Sequence, residues 1–148
     1  MTSSPFPRHA TEDKFLYAAV ILAAIVGVSL SAWLKPDPRG FGTHEQLGLL
    51  PCGFKKVSGL PCPTCGMTTS FSLMAHGRVF DAAHTQPFGA FLFIGMVAAA
   101  GASVRSLTSP VSYLDLFTAV RWRYFGPVIG LFFLLSWLYC CAQVKGYV

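Results

Sequence analysis

The chain has 148 residues, of which 53% are hydrophobic and only 11% are charged, and its mean hydropathy is +0.55. Soluble domains carry about a quarter charged residues, so this composition excludes a disordered chain and argues against an ordinary water-soluble enzyme. The formal net charge of +5 is dispersed along the chain. Dispersed basic residues favour contact with anionic lipid over a nucleic-acid-binding patch. We therefore expect a lipid bilayer, and no nucleic acid, as the partner.

The first predicted element is a membrane-spanning helix over residues 15–34. This stretch contains no Asp, Glu, Lys, Arg or His, and about 20 residues of helix cross the hydrocarbon core of a bilayer. A cleaved signal peptide is the alternative, because Ser29 and Ser31 are small residues at cleavage-like spacing. The uninterrupted apolar length and the interfacial residues Trp33 and Lys35 favour a retained helix.

Residues 35–86 form an extramembrane segment, which we call the cysteine segment. After its last cysteine, the apolar residues take helical spacing as far as His76, and Gly77 is suited to end that helix. The pair Cys62 and Cys65 therefore leads into a helix amino terminus, where exposed backbone N–H groups favour a thiolate. Three of the five cysteines in the chain fall within 14 residues of this segment, each near a Pro or Gly: Cys52, Cys62 and Cys65.

Two further stretches without ionisable side chains predict the second and third spans, over residues 87–104 and 124–144. The second begins with Pro87 and contains three glycines, which membrane helices tolerate better than soluble ones. Each span also carries small residues four apart, on one helical face, where they let backbones approach closely in lipid. We therefore predict a packed three-helix bundle. These small residues are Ala23, Gly27 and Ser31, then Gly95, Ala99 and Ser103, then Gly126 and Gly130.

The connection between the second and third spans predicts a short helix on the membrane surface. Ser109 and Pro110 pair a helix cap with Pro at the first helical position, and apolar residues follow at helical spacing. The total numbers of Lys and Arg on the two sides of the membrane are nearly equal. However, Arg105, Arg121 and Arg123 flank the spans directly, which favours a cytoplasmic connection. The cysteine segment is then expected outside the cytoplasm, in a multi-pass protein of the cell membrane.

The sequence thus predicts an all-α integral membrane protein, a single membrane domain over residues 1–148. It has three transmembrane helices, with a cysteine-containing loop and a short helix between the first two. Three crossings place the end of the third span on the side of the cysteine segment, so all five cysteines lie toward one membrane face. Cys140 and Cys141 point in different helical directions, so at most one of them faces the other thiols. Simple packing within the helix is the alternative for both.

The cysteine motif resembles that of a known family. The motif is followed by Gln86-Pro87 at the start of the next span, and it reads Cys52-Gly-Phe54, then Gly59-Leu-Pro-Cys62-Pro-Thr-Cys65-Gly66-Met-Thr68. Over roughly residues 45–100 it is similar to the bacterial membrane family called domain of unknown function 2752. Thr69 stands where that family usually has Arg, and Gln86 where it usually has Asn, so no role of that Arg carries over. The resemblance implies a small polytopic membrane protein without an established activity.

A zinc site is one chemistry that these residues allow. Cys52, Cys62 and Cys65, completed by His76 or His84, would form a tetrahedral Cys₃His set. The Cys-x₂-Cys turn supplies the spacing that such a site needs. The sequence has no second Cys-x₂-Cys and no paired His-x₃₋₅-His, so it permits zinc as a cofactor without requiring it.

Two other uses of the cysteines stay open. In thiol–disulfide exchange, Cys62 would attack and Cys65 would resolve, with Cys52 or Cys140 passing electrons onward. No strand–helix–strand pattern surrounds the motif, although this activity would need one. In a structural role, a disulfide from Cys52 to Cys62 or to Cys65 would contribute about 2–4 kcal/mol.

The favoured interpretation is a non-catalytic structural, partner or assembly protein organised by the cysteine segment. It would act with another membrane protein or as a homo-oligomer. The sequence contains no Ser/His/Asp constellation and no phosphate-binding Gly loop, which argues against an enzyme. The spans carry no carboxylate, which argues against a proton-coupled transporter.

Overall fold

The computed structural model describes residues 10–108 and 122–144, and within these two ranges the chain is helical without any strand. The predicted all-α class is therefore confirmed. The predicted surface helix after Ser109 lies outside the described residues. In chain order, the elements are α1 (Ala10–Trp33), a 3₁₀ helix (Thr43–Leu47), α2 (Gly53–Ser58), α3 (Met67–Ala75), α4 (Val79–Thr85), α5 (Pro87–Thr108) and α6 (Trp122–Val144).

The helices α1, α5 and α6 are each long and apolar enough to cross a membrane. The stretches that meet this condition are Lys14–Trp33, Pro87–Leu107 and Phe125–Val144, with mean hydropathies of 2.3, 1.8 and 1.9. Most residues of these stretches are not buried inside the protein, and many large apolar side chains face outward. Exposing that much apolar surface to water is unfavourable, so lipid is the solvent that fits these faces. The three predicted spans are confirmed.

The cysteine segment is packed onto the first two spans through α3. This helix contacts α1, α4 and α5. Ser72 Oγ donates a hydrogen bond to the carbonyl of Leu34 at the end of α1, and the ring of Phe71 meets that of Phe93 in α5 edge to face, with centroids 5.5 Å apart. A small core of Leu73, Ala82 and Ala90 then joins α3 to α4 and α5. The amino end of α3 is consequently fixed relative to two spans.

Two glycines set the limits of α3. Gly66 is its N-cap, with φ at 88°, a conformation that side-chain-bearing residues rarely adopt. A Cβ at Gly66 would also lie 3.0 Å from the carbonyl oxygen of Gly40. At the other end, the helix stops before His76, and Gly77 has φ at 76°. The predicted helix after the cysteine pair, and its stop at Gly77, are therefore confirmed.

The small-residue faces pack only in part as predicted. On α1, a Cβ at Gly27 would lie 3.0 Å from the sulfur of Met96 in α5, so these two helices do approach closely there. Among the described residues, no atom of another element lies within 4 Å of such a Cβ at Gly95, Gly126 or Gly130. The third span contacts α5 instead through aromatic rings, with Phe88 against Phe132 and Phe133. Glycine spacing alone did not identify that interface.

The helix α6 carries a row of hydrogen-bonding side chains that we call the polar stripe. Its members are spaced so that they share one face of the helix near its carboxyl end. They are Ser136, Trp137, Cys140 and Gln143.

Each member of the polar stripe contacts the main chain of the cysteine segment or of the start of α5. Polar side chains of this kind join helices in membranes, where no water competes for the bonds. The stripe therefore docks the third span onto the segment that holds the cysteines. The bonds run from Phe88 N to Ser136 Oγ (3.1 Å), from Trp137 Nε1 to Pro61 O (2.9 Å), from Cys140 Sγ to Thr85 O (3.5 Å) and from Gln143 Nε2 to His84 O (2.8 Å).

We expect Ser136→Ala to destabilise the folded protein in detergent by about 0.6 kcal/mol, and by at most about 1.7 kcal/mol. The substitution removes the acceptor for the Phe88 N–H and the hydroxyl that lies 3.3 Å from Gln86 Oε1. The free energy of unfolding in mixed micelles of SDS measures the effect. Ser29→Ala is the matched control, because Ser29 is exposed on α1. Equal effects of the two substitutions would contradict the docking role.

Candidate metal centre

The structure brings three thiols of the cysteine segment together. We call Cys52, Cys62 and Cys65 the cysteine cluster. Their Sγ atoms all lie within 4.8 Å of one another, and Cys62 Sγ lies 2.9 Å from Cys65 Sγ. All three are free thiols and half-buried. Sulfur atoms from two separate stretches of chain therefore converge on one point, as the sequence predicted for a metal site.

Local main-chain structure positions each thiol. Cys52 is the N-cap of α2, so its side chain lies beside the free N–H groups of that helix. Cys62 and Cys65 occupy a turn closed by a hydrogen bond from Cys65 N to Cys62 O of 2.9 Å. The hydroxyl of Thr64 lies 3.4 Å from Cys62 Sγ. Gly66 then turns the chain directly into α3, which fixes Cys65 at the amino end of a packed helix.

The environments of two thiols shift their pKa values in opposite directions. Backbone N–H groups at the start of α2, above all that of Lys55, together with the neighbouring thiols, lower the pKa of Cys52 to about 7. Burial, together with contacts to Cys62 and Cys52, raises the pKa of Cys65 to about 12. Burial disfavours the charged form of a thiol, and N–H donors favour it. The cluster thus contains one acidic thiol and one that keeps its proton.

The cluster opens into a cavity of about 550 Å³ with basic walls. The Lys55 ammonium lies 2.8 Å from the ring centroid of Phe41, and burial lowers its pKa, an effect that ionised thiols of the cluster would offset only in part. Arg39 also lines this cavity, but its guanidinium pairs with Asp37 at 2.7 Å and with Glu45 at 3.1 Å. Among the described residues, Lys55 has no carboxylate partner. Its charge is therefore available to compensate thiolates.

The two histidines predicted as the fourth ligand lie outside the cluster. His76 follows the carboxyl end of α3, whereas the cysteines precede its amino end, and its Nδ1 lies 2.7 Å from Ser72 O. His84 lies on α4, where its carbonyl accepts from Gln143 and its ring faces Tyr139 at 6.1 Å. His84 lines a second cavity together with Cys65, but neither His76 nor His84 lines the cavity that all three thiols share.

A different histidine, His44, lines the cavity with all three thiols. It belongs to the 3₁₀ helix, which begins after Gly42 and ends before Gly48, both with positive φ. The neighbouring Thr43 is fully buried and its hydroxyl lies 2.8 Å from that of Thr69 in α3, which holds the 3₁₀ helix over the cysteine turn. The sequence analysis did not propose His44 as a ligand. Gly42 and Gly48, on either side of the 3₁₀ helix, were the local signal that the chain turns at both of its ends.

The cysteines of the third span lie toward the same end of the molecule. Cys140 is buried and lines a second cavity of about 560 Å³, which Cys65 also lines. Cys141 is half-buried and is not among the residues of that cavity. One of the two adjacent cysteines therefore faces the cysteine segment and the other does not, in agreement with the sequence expectation.

We expect Cys52 to be the fastest thiol of the cluster in the reduced, metal-free protein at pH 7. A pKa lowered to about 7 leaves about half of Cys52 as thiolate at that pH, and the reactive fraction falls as the pH drops below 7. Cys65 has a raised pKa and should react only in strongly alkaline solution. Iodoacetamide labelling across pH, read by peptide mass spectrometry, measures both rates, and Cys52→Ser should remove the fast phase. Equal rates for Cys52 and Cys65 at pH 7 would contradict the assignment.

Comparison with known proteins identifies a family for the part of the chain that contains the site. No curated protein and no solved structure gives a significant match to the chain. A family model does match, beginning at Cys52 and ending within α5, so its range includes the whole cysteine cluster. Over residues 52–100 the chain matches the family described as Protein of unknown function (DUF2752), the family that its cysteine motif resembles.

Proposed function

We propose that this multi-pass membrane protein binds a divalent metal ion of the zinc type in the cysteine cluster, and that the metal organises the cysteine segment. The observation that supports this most directly is the convergence of three Sγ atoms within 4.8 Å of one another. Zinc accepts thiolates at about 2.3 Å in tetrahedral geometry, which spaces the sulfurs by about 3.8 Å. A small adjustment of the cluster therefore suffices. A disulfide, by contrast, would use two of the sulfurs and leave the third unpaired.

The need for a metal is clearest at α2. This helix has only six residues and none of them is buried, so packing contributes little to holding it in place. Short isolated helices are unstable in water. A metal bound to Cys52 at its N-cap and to Cys62 and Cys65 at the start of α3 would tie α2 to the packed part of the fold. Structural zinc sites stabilise small domains in this way.

We assign the fourth coordination position to His44. Among the described histidines, it is the one that lines the same cavity as the three thiols. Its ring nitrogens lie outside the group within 4.8 Å, so a rotation of the side chain into the cavity must accompany binding. The Lys55 ammonium would offset part of the negative charge of three metal-bound thiolates.

We further propose a non-catalytic role, in which the metal-ordered segment is presented to another membrane protein or to a second copy of this chain. The segment contributes exposed apolar side chains for such a contact, including Leu50, Val57 and Phe80. Basic residues at the ends of the second and third spans favour a cytoplasmic connection. We therefore propose that the cysteine segment lies on the non-cytoplasmic side of the cell membrane.

Protein purified in detergent should contain about one zinc per chain, and Cys65→Ser should lose it. Removing one thiolate from a site with three leaves too few protein ligands for tight binding. Zinc content by elemental analysis, together with affinity measured by competition with a chelator, provides the test. Cys141→Ser is the matched control, because Cys141 is also half-buried but lies outside the cluster. Zinc-free protein that does not take up the metal when reduced would refute the proposal.

The same assay tests the fourth ligand. His44→Ala should weaken zinc binding at least tenfold, because it removes one of four bonds to the metal. His76→Ala and His84→Ala should leave the affinity unchanged, since neither residue lines the cavity that the three thiols share. If His44→Ala binds zinc as tightly as the unaltered protein, a solvent molecule takes the fourth position instead.

Thiol–disulfide exchange is the second candidate function, favoured by the 2.9 Å contact between Cys62 and Cys65 and by the low pKa of Cys52. In this chemistry, a cluster thiolate attacks an external disulfide and expels one thiol, forming a mixed disulfide. A second cluster thiol then attacks the mixed disulfide and expels the other. The protein becomes oxidised to an internal disulfide while the external disulfide is reduced. A cluster disulfide that cycles with external thiols, in protein free of metal, would favour this function over metal binding.

The proposed orientation predicts which thiols are accessible from outside the cell. After treatment of intact cells with a chelator, a membrane-impermeant maleimide should label Cys52 and should not label an introduced Ser106→Cys. Ser106 lies at the far end of α5 from the cysteine segment, so the two positions fall on opposite sides of the bilayer. Mass analysis of labelled peptides before and after permeabilisation gives the result. Labelling of Ser106→Cys alone in intact cells would reverse the orientation.

A further inference from the structure

The third span contacts the cysteine turn directly. Trp137 Nε1 donates to the carbonyl oxygen of Pro61 at 2.9 Å, immediately before Cys62. On the other side of Cys62, the carbonyl of Pro63 lies 3.5 Å from Gln86 Nε2. The two carbonyls that flank this cysteine are therefore both approached by side-chain donors from outside the turn.

The turn depends on such outside donors because of its composition. Pro61 and Pro63 have no N–H group and contribute only acceptors to the main chain. Pro61 is buried, and a buried carbonyl without a donor costs free energy comparable to a lost hydrogen bond. Of the two contacts, that of Trp137 is the shorter and stronger. It is also the one that comes from a different span.

The indole of Trp137 is held in place by its neighbours on the polar stripe. Ser136 accepts from the N–H of Phe88 at 3.1 Å, and Cys140 lies 3.5 Å from the carbonyl of Thr85. These contacts lie on either side of Trp137 along the helix and fix the rotation of α6 about its axis. The positions of Pro61 and of the adjacent Cys62 are therefore held by the helix bundle as well as by the loop itself.

We propose that Trp137 is a positioning residue of the metal site, which couples metal binding to the docking of the third span. This inference rests on the proposed function. By holding Pro61, Trp137 keeps Cys62 beside Cys65 and Cys52 before the metal binds. Less conformational entropy is then lost when the metal orders the three thiols. Coupling between two sites is reciprocal, so metal binding also strengthens the docking of α6.

The test is Trp137→Phe in the full chain in detergent, with Co²⁺ and Zn²⁺ as probes. Phe keeps an aromatic six-membered ring and removes the pyrrole ring that carries the N–H. Losing a hydrogen bond of ordinary net strength should weaken metal affinity about three- to tenfold, and it should alter the Co²⁺–thiolate absorption bands. Trp33→Phe is the matched control, because Trp33 is 70% exposed on α1, and it should change neither the affinity nor the spectrum.

A second measurement does not depend on the Trp137 substitution. The chain has three tryptophans, so Trp33→Phe combined with Trp122→Phe leaves Trp137 as the sole fluorophore. Metal addition should shift the emission of Trp137 in this variant. The shift should be absent when the same variant also carries Cys62→Ser. A fluorescence response that persists in the Cys62→Ser variant would count against coupling through the cysteine turn.

The outcomes separate the two proposals. If the unaltered chain binds metal, and Trp137→Phe leaves affinity and spectrum unchanged while the sole tryptophan is silent to metal, the positioning role is wrong and the metal site stands. If the unaltered chain binds no metal, the proposed function fails, and the coupling inference fails with it. If affinity, spectrum and emission all change as expected, both are supported.

Discussion

The hydrogen bonds between the polar stripe of α6 and the main chain of the cysteine segment are the constraint on which the site depends. In the hydrocarbon core of a bilayer, no water is present to donate a hydrogen bond to an unsatisfied carbonyl. A face of hydrogen-bonding side chains in an otherwise apolar span is therefore stable only against a partner main chain. Gln143 meets the end of α4 and Ser136 meets the start of α5. The segment that carries the thiols is consequently held against the membrane bundle from two sides, by α3 and by α6.

The chemistry of the cluster follows from that placement. Packing of α3 against the spans buries Cys65 and raises its pKa, while Cys52, at the N-cap of an unburied helix, stays close to solvent and N–H donors and has a lowered pKa. Binding of the proposed metal would displace the protons of all three thiols, so the ion would have to offset the cost of ionising Cys65. The Lys55 ammonium beside the thiols reduces that cost. The site combines a half-buried sulfur at the start of a packed helix with a sulfur at the N-cap of a weakly packed helix that only a shared ligand would secure.

The sequence was sufficient to predict the three spans and α3, which depend on local patterns. Spans follow from the absence of ionisable side chains over the length of a bilayer, and α3 follows from apolar spacing that ends at Gly77. The features that it missed depend on contacts between distant residues. His44 reaches the cavity because buried Thr43 bonds to Thr69, 26 residues further along the chain. Trp137 lies 76 residues from Pro61 in the sequence. The local pattern of an apolar span does not distinguish a Trp that bonds to another segment from a Trp at the membrane–water interface.

Gln86, the residue before the second span, caps α5 and also contacts two other parts of the structure. The resemblance places Asn where this chain has Gln86, and Asn is a preferred N-cap residue. Gln86 still caps α5, since its Oε1 accepts from Gly89 N at 2.6 Å, the third helical position. Its longer side chain also brings Oε1 within 3.3 Å of Ser136 Oγ and turns Nε2 toward Pro63. One fully buried side chain thus links the start of α5, the third span and the cysteine turn, so the cysteine turn and the helix bundle form a single hydrogen-bonded unit.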